Sequence, residues 1–193
     1  SQTGIRQRGI LVALFTREHT YKTDRIHEGH IINLRVDFLR NPEGKEVVRE
    51  LVEHNGGVTI CCRPDEHSIV LIKQYRYSVD ELLYELPAGR IEKGEDLLAA
   101  AKRELAEETG YVAKNWREIS RVYTAPGFCN EMLYMYEATD VTLTQQSLDD
   151  DEEAEVIVMS LTDAWQLVLD GKVRDSKTVA GLGLLIGSKG PAK

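Results

Sequence analysis

Three observations along the chain predict an α+β fold, α/β in its layering, with a mixed sheet. Short runs rich in β-branched and aromatic residues recur between turn signals. One segment, Glu95 to Gly110, changes to helical period. Strands then resume, so that a helix interrupts a run of strands.

The elements follow in order. Up to about Asn55, Ile31, Leu34, Val36, Phe38 and Leu39 alternate with polar residues, and Val47, Val48, Leu51 and Val52 do so again. Asn41-Pro42-Glu43-Gly44 between the two groups is a turn signal, which predicts a hairpin. Residues 1–55 are too few to bury both faces alone, so they read as a small antiparallel β extension, and 56–193 as the main domain. Val58 to Cys62 and Ser68 to Gln74 are predicted strands, with Arg63-Pro64-Asp65-Glu66-His67 as a second hairpin turn. Leu82 to Leu86 is a further strand, ended by Pro87-Ala88-Gly89. Leu98, Ala101 and Leu105 then fall at i, i+3 and i+7, on one face of a helix that closes at Gly110. Strands are predicted at Ile119 to Tyr123, Met132 to Ala138 and Glu155 to Met159, and helices at Thr162 to Asp170 and Lys177 to Ile186.

Bulk properties narrow the function. The 193 residues suit one domain with a modest extension, and 42% hydrophobic against 29% charged residues supports a real core. A formal charge of −8 argues against a nucleic-acid backbone as partner, because such binders neutralise phosphates with Lys and Arg. It leaves a small anionic substrate open, since a bound divalent cation reverses the local potential. Cys61, Cys62 and Cys129 form neither a disulfide framework nor a C-x-x-C spacing, as expected of reduced thiols in a cytoplasmic protein. The apolar run Ile10 to Phe15 is too short for a signal-peptide core or a membrane span.

The chemistry concentrates on the central helix. Glu104 and Glu108 are four apart and Glu107 is three from Glu104, so three carboxylates gather on one side, about 60° from the apolar stripe. Like charges at these spacings repel. A solvated acidic face, relieved by Lys102 and Arg103, is one reading. The other is a hard divalent cation, since Mg²⁺ takes carboxylate oxygens and keeps waters for a substrate phosphate to displace. Arg103 can orient one carboxylate through a bidentate pair.

Gly89, five residues, Glu95, seven residues, then Arg103-Glu104-Leu105-Ala106-Glu107-Glu108-Thr109-Gly110-Tyr111 resembles the Nudix box. Every fixed position matches, with Tyr111 an aromatic where an aliphatic is usual. The resemblance implies a Nudix-type α/β/α sandwich with a mixed sheet, and hydrolysis of a nucleoside diphosphate linked to another group. It implies Glu104, Glu107, Glu108 and the carbonyl of Ala88 as metal ligands, for Mg²⁺ with Mn²⁺ able to substitute. Arg103 and Glu107 would act in catalysis, with Glu95 and Arg103 positioning the loop and the carboxylates.

Downstream, Pro126-Gly127 followed by Glu131 resembles the ADP-ribose pyrophosphatase branch of that family, where these residues border the substrate; a plain turn between strands is the simpler reading. Lys73-Gln74-Tyr75-Arg76, Arg49-Glu50 and the helical tail Gly171 to Leu185 extend the resemblance over nearly the whole chain. By position Arg76 and Arg49 would meet phosphates or sugar, a role suited to the guanidinium fork; for Arg49 a surface arginine is equally good. The N-terminal strands match the branch's dimerising extension and imply a homodimer. Within the acidic run 149–153, Glu152, or in reserve Glu153, would close over the substrate as base; a solvated loop is the simpler reading. The five histidines read as surface residues, and the stacking aromatic stays open among Tyr21, Phe38 and Tyr77. The resemblance thus implies hydrolysis of ADP-ribose to AMP and ribose 5-phosphate. A nucleotide-sugar pyrophosphatase of the GDP-mannose kind and a non-catalytic ADP-ribose sensor are the alternatives. The intact box speaks against the sensor, and the Pro126 placement against a hydrolase of free nucleoside triphosphates.

Overall fold

The strands among the described residues sort into three sheets. The computed structural model describes residues 13–146 and 154–188, and the chain divides into two units, Ser1–Glu53 and His54–Lys193.

In the first unit a 3-10 turn, Arg17–His19, leads into β1 (Thr20–Glu28), β2 (Asn33–Arg40) and β3 (Glu46–Glu53), paired antiparallel in that order. The β2–β3 hairpin follows its turn signal: the Asn41 side-chain oxygen accepts from Lys45 N–H at 2.8 Å, and Gly44 N–H donates to the Asn41 carbonyl at 2.9 Å. Sequence reasoning missed β1, because most of its side chains are exposed and polar and it shows no apolar alternation. Polar cross-strand pairs tie it down instead: Thr23 donates to Asp37 at 2.7 Å, and Arg25 and Arg35 share Glu53.

The second unit holds two sheets. β4 (Gly57–Cys62), β7 (Ala88–Arg90), β8 (Tyr111–Tyr123) and β9 (Met132–Leu143) form a four-stranded sheet ordered β7-β4-β9-β8. It is mixed, since β4 runs parallel to β9 while the other pairs are antiparallel. β5 (Ser68–Arg76), β6 (Glu81–Glu85) and β10 (Ala154–Ser160) form an antiparallel sheet ordered β10-β5-β6.

Helices cover both faces. Alternate residues of β4 and β5 explain how: Val58, Ile60, Cys62 and Val70 pack on Ala100, Ala101 and Leu105 of α1 (Leu97–Thr109). Cys61, Ile69 and Leu71 face the other way, against Leu161 and Ala164 of α2 (Leu161–Leu169) and Leu182 and Leu185 of α3 (Ser176–Ser188). The result is the predicted α/β/α layering with a mixed sheet.

One expectation fails. Residues 63–67 do not close a hairpin, since β4 and β5 lie in different sheets. β4 is buried throughout and takes β7 and β9 on its two edges, leaving none for β5. Asp65 instead folds the connection on itself by accepting from the N–H groups of His67 and Ser68. The strand before Pro87 does end as expected, at Glu85, but the chain pairs again from Ala88, as β7, with β4, a strand the sequence reading did not include.

Candidate active site

α1 starts and stops where its sequence dictates. The Asp96 carboxylate accepts from the N–H groups of Leu98 and Ala99, and Gly110 closes the helix in the left-handed conformation at φ 73°. Ala100, Ala101 and Leu105 are buried. That fixes the rotation of the helix and turns Glu104, Glu107 and Glu108 toward β7 and the turn before the helix.

Arg103 is the centre of the cluster. Its Nε and Nη2 donate to the two oxygens of Glu95 at 2.9 and 3.0 Å. Its Nη1 donates to Glu104 at 2.8 Å and to Glu107 at 3.0 Å, and Nη2 also reaches the carbonyl of Arg90 at 3.1 Å. One guanidinium therefore ties three carboxylates and the end of β7 together. The Glu95 hydrogen bonds are the largest cause raising the Arg103 pKa above its ordinary value, against the opposing effect of burial; Glu104 and Glu107 add to them. Arg103 in turn holds the Glu95 carboxyl below its ordinary value, despite some desolvation. The sequence suggested one oriented carboxylate.

Glu108 is buried, with only 3% of its surface exposed, and accepts from Ala88 N–H at 2.8 Å. The sequence placed this acid beside the apolar stripe; the structure puts it under the strand. Gly89, the next residue, is in close contact with Glu104: a Cβ there would lie 1.8 Å from the Glu104 carboxyl carbon. Only a glycine leaves that seat open.

Among the described residues no group of three or more His, Cys, Asp or Glu side chains is already gathered at metal-binding separation. Arg103 spans Glu104 and Glu107, while Glu108 turns to Ala88. The residues nevertheless fit a hard divalent cation. Their donors are carboxylate oxygens on adjacent helical turns, and the missing Cβ at Gly89 leaves room for the Glu104 carboxylate against β7.

Arg76, at the end of β5, grips Glu85 at the end of β6 through Nε and Nη2, both at 2.7 Å. Glu85 raises the Arg76 pKa most, burial lowers it, and Glu108 and Asp175 raise it further through space. Arg76 thus lies within electrostatic reach of Glu108, while its hydrogen bonds go to Glu85. Burial pushes the Glu85 carboxyl up, but Arg76 and Lys177 outweigh it and hold the carboxyl below its ordinary value.

Pro126 and Gly127 form an exposed turn closed by Phe128 and Cys129 N–H on the Ala125 carbonyl. Glu131 follows, 3.3 Å from His54 Nδ1, which also accepts from Gly56 N–H at 3.0 Å. His54 is thus not the surface histidine expected; its side chain is 11% exposed. The parallel pairing of β4 with β9 and the β4–β7 pairing bring the Glu131 loop and Arg90 to the same end of β4. Arg49 lies on β3 in the other unit, and its guanidinium donates to the Val48 carbonyl. Glu152 and Glu153 lie outside the described residues. Sequence reasoning missed Glu85, Lys177, Asp175 and Thr178, which meet only through tertiary contacts.

A family model described as NUDIX domain matches residues 53–182. The chain is 39% identical over 163 residues to the ADP-ribose pyrophosphatase of Bacillus subtilis (strain 168), covering 83% of this chain and 88% of that one. It is 37% identical over 164 residues to the methanol dehydrogenase activator of Bacillus methanolicus, covering 84% and 89%. The fold is similar to that of a solved structure described as an ADP compounds hydrolase, with a TM-score of 0.78 at 21% identity, over 90% of this chain and 96% of that one. The protein belongs to the NUDIX family.

Proposed function

We propose that the protein hydrolyses the pyrophosphate bond of ADP-ribose to AMP and ribose 5-phosphate. The observation that carries a hydrolase reading is the Arg103 clamp on Glu95, Glu104 and Glu107, with Glu104 seated on Gly89. A helix arranged only for stability has little reason to collect acids beside its buried face. The choice of ADP-ribose is supported by the name of the Bacillus subtilis relative.

In this reading Glu104, Glu107 and Glu108, with the Ala88 carbonyl, hold Mg²⁺, for which Mn²⁺ substitutes. When bound, such ions would supply neutralisation of the charge developing on the phosphates and a water made more acidic for attack. Arg103 keeps the carboxylates in place and is itself anchored by Glu95. Arg76 meets a substrate phosphate, and Arg49 the phosphates or the sugar. Pro126, Gly127 and Glu131 border the substrate. Glu152, with Glu153 in reserve, removes a proton from the attacking water.

A homodimer built through residues 1–55 and a cytoplasmic location complete the proposal. The dimer is supported by the exposed apolar side chains of Tyr21, Ile26, Ile31, Ile32 and Val48 in the first unit. No described helix is long and apolar enough to cross a membrane.

The test is a panel of ADP-ribose, GDP-mannose, NADH and ADP-glucose, each with Mg²⁺ and with Mn²⁺, with products identified by chromatography. ADP-ribose is expected to give the highest kcat/KM and to yield AMP. Comparable kcat/KM across the panel, or preference for GDP-mannose, defeats the proposal.

A further inference from the structure

Glu85 is the most deeply buried carboxylate near the site, with 1% of its side chain exposed. Its Oε1 accepts from Arg76 Nε, and its Oε2 takes both Arg76 Nη2 and Lys177 Nζ. Lys177, in the first turn of α3, is 11% exposed and has a second partner in Asp175 at 3.0 Å. The same Asp175 oxygen accepts from Thr178 N–H at 3.0 Å and from its hydroxyl at 2.5 Å. Thr178 Oγ1 then accepts from Leu86 N–H at 2.8 Å. The contacts close a ring through Glu85, Leu86, Thr178, Asp175 and Lys177.

Arg76 stands outside that ring and hangs on it by one edge. Both bonds to Glu85 use Nε and Nη2, which leaves Nη1 with no hydrogen-bond partner among the described residues. Its side chain is 39% exposed, much more than that of Lys177. A guanidinium held side-on keeps its far edge in a fixed direction, the geometry suited to a phosphate. A carboxylate this buried tolerates little loss of compensation, so a resident second cation decides whether it keeps its place.

We infer that Lys177 is a positioning residue for the hydrolytic reaction: it holds Glu85 from the α3 side, and Glu85 so held fixes Arg76 with its Nη1 edge offered to substrate phosphate. The inference rests on the reading that Arg76 meets the substrate. Lys177 is too enclosed to serve as an anion receptor itself, and it acts only through Glu85.

Steady-state kinetics on ADP-ribose with saturating Mg²⁺ test this in the wild type and in K177M, K177R, R76Q and R76Q/K177M. K177M is expected to raise KM at least about tenfold with kcat reduced less than about threefold, inside the ~10²-fold that a small misplacement costs. K177R, which restores the cation, brings KM back to within about threefold of wild type. R76Q raises KM as K177M does, and K177M added to R76Q changes KM little, since the two act through one contact. A merely structural lysine would lower thermal stability without this split or this non-additivity.

K177M without effect on KM, where R76Q raises it, overturns the role of Lys177. So does an equal rise in K177R, or full additivity in the double variant. R76Q without effect on KM shows instead that Arg76 does not meet the substrate, and takes the inference with it. Absence of wild-type turnover of ADP-ribose is a separate result and strikes the proposed function. If K177M loses its native melting transition, K177Q replaces it under the same criteria, because it keeps a donor but not the charge.

Discussion

Gly89→Ala is the most economical perturbation of the cluster. Gly89 does not adopt a positive φ, so alanine is conformationally acceptable there. The conflict is steric and has one partner: the new Cβ would lie 1.8 Å from the Glu104 carboxyl carbon and 2.1 Å from each of its oxygens. Ordinary contact begins at 3.4 Å, so the carboxylate must withdraw by about 1.6 Å. It is the far end of a flexible side chain and can do so without moving the backbone, which keeps the cost to the fold small. The cost to catalysis is different, because a misplacement of ~1 Å in a positioned group can take ~10²-fold from the rate. A fall in kcat/KM of ~10²-fold or more follows, equivalent to about 2.7 kcal/mol of transition-state stabilisation. The assay pairs ADP-ribose turnover under saturating Mg²⁺ with a thermal melt. Turnover within about threefold of wild type in a folded G89A protein would refute the claim that the Glu104 seat matters to the chemistry.

Glu104→Gln and Glu108→Gln are each expected to abolish Mg²⁺-dependent turnover in a protein with wild-type circular dichroism; undiminished activity in either removes that acid from the metal set. Glu95 gives a pH prediction with a definite sign. Its folded pKa is lowered by Arg103, so the carboxylate contributes stability above the ordinary carboxylate range and loses it as pH falls through the folded value. The stability gap between wild type and E95Q, from urea unfolding, is therefore larger at pH 7 than at pH 3; a gap that does not shrink on acidification contradicts the pairing. The cysteines divide by accessibility. Burial pushes the Cys61 and Cys62 thiols up to about 12, whereas Cys129 is partly exposed. A thiol-reactive chromophore at pH 8 labels at most one cysteine per native chain and three after guanidinium unfolding; two fast native thiols would contradict the packing of β4.

What the sequence made legible follows from how local each signal is. Helix α1 announced itself by an apolar stripe and a closing glycine within one window, while its Asp96 cap emerged only from the structure. The carboxylates on it could be read together because helical spacing alone makes them neighbours. Strand pairing is another matter. Val58–Cys62 and Ser68–Gln74 are legible as strands, yet nothing local tells that two adjacent runs belong to different sheets. β1 was invisible because its pairing depends on Arg25, Thr23 and Asp37 rather than on apolar alternation. Glu85 and Lys177 are 92 residues apart, and neither is unusual where it stands. His54 became a neighbour of Glu131 only when β4 and β9 came together. The box, a short-range object, was readable; the groups that steady it from other elements were not.

The short passage from β6 to β7 has a consequence of its own. Glu85 is the last residue of β6 in the antiparallel sheet, and Ala88 begins β7, paired with β4. Only Leu86 and Pro87 separate the two. Side chains alternate direction along a strand, so one inserted residue here would turn β7 over and bring a neighbour with a Cβ to the place where Gly89 meets Glu104. The spacing between the two sheets is thus a ruler: loops elsewhere can lengthen at modest cost, whereas a change in count here displaces the Glu104 carboxylate from its seat.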